Sequence, residues 1–184
     1  MTEILGLTNQ EILMRARADL RLGVPIVLSG KGIDALVAPI DVLSQARLDQ
    51  LKSINKKSFI LITARRAQTL NCPIYEGSFA RIKLGQTPEI SYLKAISDPS
   101  LDLKNPLKGP FTILREEPLK LENEALLLLK SAQLLPAAVI SPVDEGVNFA
   151  ANHKLTYLQT EQLRELAISS RGIEDAITAT VPTA

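Results

Sequence analysis

Short apolar runs, set between stretches that carry helix-capping signals, constrain this chain more than any other feature. Residues 24–28, 35–38, 59–62 and 137–141 are almost wholly apolar. They are too short for helices and lack the alternation of a strand wetted on one face. Runs of this kind suit strands covered on both sides. The intervening segments read as helices. Thr8-Asn9-Gln10-Glu11 has the form of a capping box, with Leu7 and Ile12 at the staple positions. Ile12, Leu13, Ala16 and Leu20 then share one face, and Gly23 marks a left-handed stop.

The same reading continues along the chain. Ser44 caps a helix whose apolar positions are Leu48, Leu51 and Ile54, and Thr63 caps a short helix that ends before Pro73. Thr87-Pro88 opens a helix presenting Ile90, Leu93 and Ile96, closed by Asp98-Pro99. Residues 122–135 read as a strongly apolar helix. Residues 79–84 alternate and read as a half-exposed strand, 102–109 as a loop and 111–114 as a strand. This order predicts an α/β domain over residues 8–145, a mixed sheet with helices packed on it. Residues 146–184 read as a helical tail or linker, helix-prone around 160–170.

Composition narrows the function classes. A chain of 184 residues buries roughly 70% of its unfolded surface, so its core needs no disulfide or structural metal. Lys and Arg number 21 against 20 Asp and Glu; no electrostatic footprint for nucleic acid or an anionic membrane follows. Cys72 is the only cysteine, which excludes an intramolecular disulfide and a Cys-rich zinc site. It fits a reducing compartment. His153 is the only histidine, so chemistry needing two imidazoles is excluded. Residues 1–7 lack the basic and apolar regions of a secretory signal. The apolar run 125–129 is far short of the roughly 18 residues that span a bilayer. The reading is a cytoplasmic chain with no nucleic-acid and no membrane partner.

Several residues invite chemical readings. Gly30-Lys31-Gly32 lacks the spacing of a phosphate loop and reads as a tight turn. Arg65 and Arg66 sit in the first turn of a helix after a buried strand, where a solvated face is the default and an anion site the alternative. Cys72 has no neighbouring imidazole or cationic cluster and reads as a structural thiol. His153 reads as a surface residue rather than a general base. Glu116, Glu117, Glu122 and Glu124 are explained by favourable charge at a helix N-terminus, against the alternative of a cation site.

The collinear order of segments resembles one family. Ala18-Asp19-Leu20-Arg21-Leu22-Gly23-Val24-Pro25-Ile26-Val27-Leu28 is similar to the opening of 3,4-dihydroxy-2-butanone-4-phosphate synthase. Asp34-Ala35-Leu36-Val37-Ala38-Pro39-Ile40-Asp41 resembles the strand after that family's acidic loop. Ile62-Thr63-Ala64-Arg65-Arg66-Ala67-Gln68-Thr69-Leu70 is like a middle segment of the family, and residues 126–143 are like its late helix and strand. The resemblance covers most of residues 12–143. It implies the synthase fold and a homo-oligomer.

The departures fall on the family's polar machinery. Where it carries an acidic, magnesium-holding loop, this chain has Ser29-Gly30-Lys31-Gly32-Ile33-Asp34, with Asp34 alone in a matching place. Where it carries a metal-binding His, this chain has Pro118-Leu119-Lys120-Leu121-Glu122-Asn123. The family's last-strand Glu falls near Pro142, and the segment 73–91 is shorter. The implied site is therefore vestigial: Asp34 and Glu124 as remnants of catalysis, Arg66 and Arg115 as candidate phosphate contacts, and no cofactor or metal. The chain also resembles the degenerate synthase-like domain that precedes GTP cyclohydrolase II in some bacterial riboflavin-biosynthesis proteins. That implies a GTP cyclohydrolase II domain as partner and a structural role. The alternatives are a sugar-phosphate enzyme using Asp34, Arg66, Arg115 and Glu124, or an unrelated small-ligand or interaction domain of similar architecture.

Overall fold

Helix α1 (Asn9–Arg21) begins where the capping box places it. The Thr8 hydroxyl accepts the Glu11 amide at 3.3 Å, and the Glu11 carboxylate accepts the Thr8 amide at 2.8 Å. The computed structural model describes residues 6–75 and 77–163. Strands β1 (Ile26–Gly30) and β2 (Ile33–Pro39) follow, then α2 (Gln45–Ile54), β3 (Phe59–Thr63), α3 (Ala64–Thr69), β4 (Phe79–Lys83) and α4 (Ile90–Ser97). Helix α5 (Glu122–Ser131), strand β5 (Ala137–Val143), α6 (Gly146–His153) and β6 (Tyr157–Gln159) complete the order. Ser44 and Thr63 cap α2 and α3 through their hydroxyls, as the sequence predicts.

The strands form one mixed sheet in the order β4-β3-β5-β2-β1-β6. Neighbours are antiparallel except β1 and β6, which run parallel in the register Val27↔Tyr157, Leu28↔Leu158 and Ser29↔Gln159. Side chains alternate between two apolar clusters. Val27, Leu36, Ile60, Ile62 and Val139 meet Leu48 and Leu51 of α2 and Leu93 and Ile96 of α4 on one face. Leu28, Val37, Leu61 and Ile140 meet Leu13, Ala16 and Leu20 of α1 and Leu128 and Leu129 of α5 on the other. Each fully buried Leu or Ile contributes about 1.5–3 kcal/mol. A sheet loaded on both faces explains why its strands read as unbroken apolar runs. The predicted α/β fold is the one observed.

Three local readings need correction. Strand β4 is not half-exposed: Arg81 in its middle is 2% accessible. Residues 111–114 do not make a full strand but run along the outer edge of β4. They join it by the Ile82↔Ile113 bridge and by amide bonds from Lys83 to Thr112 and from Leu114 to Arg81. Helix α4 starts at Ile90 behind Glu89, not at Thr87-Pro88, and the Glu89 side chain caps no backbone amide.

The layered unit also extends past 145. Helix α6 and strand β6 lie within the segment read as a tail, and β6 is an edge strand of the sheet. Leu158 is fully buried, and the Thr156 hydroxyl donates to Asp19 at 2.6 Å. Most of the helix predicted around 160–170 lies outside the described residues. Among the described residues, no helix is long and apolar enough to cross a membrane.

Candidate functional site

Strands β1 and β2 join through the shortest common hairpin. Gly30 pairs with Ile33, leaving Lys31 and Gly32 as the turn, with φ of 52° and 78°. Positive φ at both positions defines the two-residue turn whose twist matches a β-ribbon, and Gly supplies the second at no steric cost. Lys31 thus reaches a concavity that also borders the start of β4 and the first turn of α5. It measures about 440 Å³ and is lined by Lys31, Phe79, Pro118, Lys120, Glu122, Asn123 and Glu124.

The polar groups of this concavity are largely engaged by the fold. Glu122 is 1% accessible. Its carboxylate accepts the Leu119 amide at 2.8 Å and the Leu121 amide at 3.1 Å, and stands 3.9 Å from the Arg81 guanidinium. Arg81 also donates to the Glu116 and Glu117 carbonyls and lies 5.9 Å over the Phe59 ring. The Asn123 side chain accepts from the Ser78 hydroxyl at 2.9 Å. Lys120 pairs with Glu117 at 3.5 Å on the surface. Glu124 projects from the first turn of α5, where its charge favours the helix dipole.

The residues singled out from sequence do not converge. Glu124 lines the concavity; Asp34, Arg66 and Arg115 do not. Asp34 accepts the Gly146 amide at 2.7 Å and so satisfies a donor at the N-terminus of α6. The approach requires glycine, because a Cβ at 146 would lie 2.5 Å from both the Asp34 carboxyl carbon and one of its oxygens. Arg66 is not solvated but 7% accessible. The Thr63 cap turns the chain straight from β3 into α3, which buries position 66 against the end of α4. There it donates to the Ile96 carbonyl at 2.6 Å, to the Ala95 carbonyl at 3.1 Å, and to both Asp102 oxygens at 2.7 Å. A phosphate would have to displace that bidentate carboxylate. Arg115 is exposed and stacks 5.0 Å over the Tyr75 ring.

Other groups follow their surroundings. Lys108, 8% accessible, donates to Asp102 as well. Hydrogen bonds from Arg66 and then Lys108 hold the Asp102 carboxyl well below the usual carboxylate range. Burial pushes the Cys72 thiol up, against the pull of Arg66. His153 is exposed and stacks on Phe149. Sequence reasoning missed the Arg81–Glu122 pair and the Asp102–Lys108 contact. A lone Arg inside the apolar run Phe79-Ala80-Arg81-Ile82 was the available signal for the first. For the second no local signal exists.

Comparison with solved structures bears on the fold. The chain matches a 3,4-dihydroxy-2-butanone 4-phosphate synthase of Candida albicans at TM-score 0.63 and 16% identity, covering 84% of this chain and 96% of that one. It matches a synthase of the same name in complex with two magnesium ions at TM-score 0.66 and 12% identity, covering 87% and 98%. It also matches RibBX, a two-domain synthase from A. baumannii, at TM-score 0.61 and 14% identity, covering 85% of this chain and 56% of that one. No protein-family model and no curated protein matches the sequence. At these identities the likeness is one of fold: this chain has the architecture of the synthase.

The residues present here do not suit a divalent cation. Such an ion wants several oxygens converging from separate segments. In the concavity, two ammonium groups face two carboxylates, one of which is already engaged by amides and an Arg. Among the described residues, no group of three or more His, Cys, Asp or Glu is placed to hold a metal.

Proposed function

We propose that the chain is a non-catalytic, synthase-like domain of the cytoplasm, a homo-oligomer with a structural role beside GTP cyclohydrolase II in riboflavin biosynthesis. One observation carries the reading. The segment expected to hold an acidic loop is a two-residue Lys31-Gly32 turn, and the single acid beside it, Asp34, is engaged by the N-terminus of α6. Losing one acid or base typically removes about 10²–10⁴-fold of rate. By the resemblance, the carboxylates and the metal-binding His are replaced together here, and Arg66, a candidate phosphate contact, is held by Asp102. The riboflavin setting draws support from the fold shared with the synthases and from the two-domain RibBX.

The test is incubation of the protein with ribulose 5-phosphate and magnesium, following formate. No formate above the protein-free control is the expected outcome. Magnesium-dependent turnover would overturn the proposal. Sedimentation of the intact chain, alone and with GTP cyclohydrolase II, reads the assembly half. A monomer that leaves the cyclohydrolase boundary unmoved would defeat it.

A further inference from the structure

Helices α2 and α6 lie on the same face of the sheet, opposite the face that α5 covers. They leave a cleft of about 310 Å³ between them, at the lower end of the range for small-molecule sites. Its floor is apolar and belongs to the core: Leu36 is 1% and Leu51 2% accessible. One wall is the Phe149–His153 stack, with ring centroids 4.1 Å apart and planes at 18°. The His153 Nδ1 lies 2.9 Å from the Phe149 carbonyl, which fixes the imidazole against the phenyl ring. The rim carries the cations Lys154 and Arg47, the latter also donating to the Leu22 carbonyl at 3.0 Å, and among the described residues lining the cleft none is acidic.

We infer that this cleft binds a small aromatic monoanion of the carboxylate class. The body of such a ligand removes apolar surface from water on both sides, its own and that of the partly exposed Val24, Pro25, Ile54 and Leu155 around the floor. The Phe149–His153 stack gives it an aromatic wall to pack against. Its head meets Arg47 and Lys154 with no carboxylate in the lining to repel it, an arrangement that rejects amines and favours acids. The site lies away from the concavity at the β1–β2 turn, so it stands or falls apart from the reading given under Proposed function.

The probe is 2-naphthoate, with 2-naphthamide as its neutral counterpart, titrated into the intact chain while the Leu36 and Leu51 methyl resonances are followed. The expected result is saturable one-to-one binding of the acid, with the amide at least about tenfold weaker, since 1.4 kcal/mol of charge complementarity is a factor of ten. Lys154→Glu is expected to weaken the acid about tenfold and leave the amide unchanged, with a slightly lower thermal midpoint from the carboxylate it sets at the C-terminus of α6. Lys154→Gln gives a smaller shift in the same direction and serves if the reversal perturbs the fold. Equal binding of acid and amide would show an apolar void without charge selection and overturn the inference. So would the absence of saturable binding, as when the cleft is closed by another part of the chain, or shifts confined to other methyls.

Discussion

Asp102 holds two cations with one carboxylate. Arg66 and Lys108 are both nearly buried, whereas Asp102 keeps about a third of its side chain in water, at 32%. Replacing it with Asn leaves two desolvated cations without a counter-charge. Breaking a buried pair costs about 3–5 kcal/mol, and the partial exposure lowers this to roughly 2–3 kcal/mol. Denaturant unfolding at pH 7 measures it. Because the folded-state pKa is depressed, the carboxylate's contribution is fully present above the ordinary value of about 4 and fades as pH falls toward the folded one. The Asp102→Asn variant therefore lacks that acid-sensitive leg, and the gap between its stability and the parent's narrows steadily as pH falls below about 4. Little of this was legible beforehand. The segment around Arg66 encodes a capped helix, but which element lies over position 66 is set by residues 29–36 positions away.

At the scale of elements, caps were read well where the capping atom lies in the same segment, as at Thr8, Ser44 and Thr63. Helix α4 shows the opposite case. Its first amide, on Ile90, is accepted by the Gln45 side chain of α2 at 2.8 Å, while the same side chain donates to the Pro88 carbonyl at 3.1 Å. A donor satisfied from another helix leaves no trace in local sequence, so Thr87-Pro88 drew the helix start too early. Strand β6 was missed for a related reason: a three-residue run has too few positions to show a period. Its importance is nonetheless large. A chain truncated after Glu145 loses the parallel ladder on β1, the buried Leu158 and the amide that Asp34 accepts. Leu158 alone is worth about 2–5 kcal/mol. The truncated chain is expected to lose near-UV circular dichroism and to sediment as aggregate. A soluble product melting like the parent would refute this.

At the scale of the whole molecule, both apolar clusters rest on the same strands. Val27 and Leu28 are adjacent residues of β1 facing opposite ways, and Val139 and Ile140 repeat the arrangement in β5. Loosening one layer therefore releases the backbone that the other needs. Leu51→Ala on one face and Leu129→Ala on the other should each cost about 2–5 kcal/mol and shift a single urea transition. Midpoints by far-UV circular dichroism and by tyrosine fluorescence should coincide in both variants. Separate transitions for the two faces would contradict the shared-sheet account.

The two borders of the sheet carry a further consequence. On one side β6 offers only a short rim, and on the other the outer backbone of β4 is occupied by the strap at 112–114. Long, bare rims are what let sheets zip together into continuous arrays. This molecule presents none among its described residues, so within them a second copy finds helices, loops and a three-residue rim rather than a long open ladder.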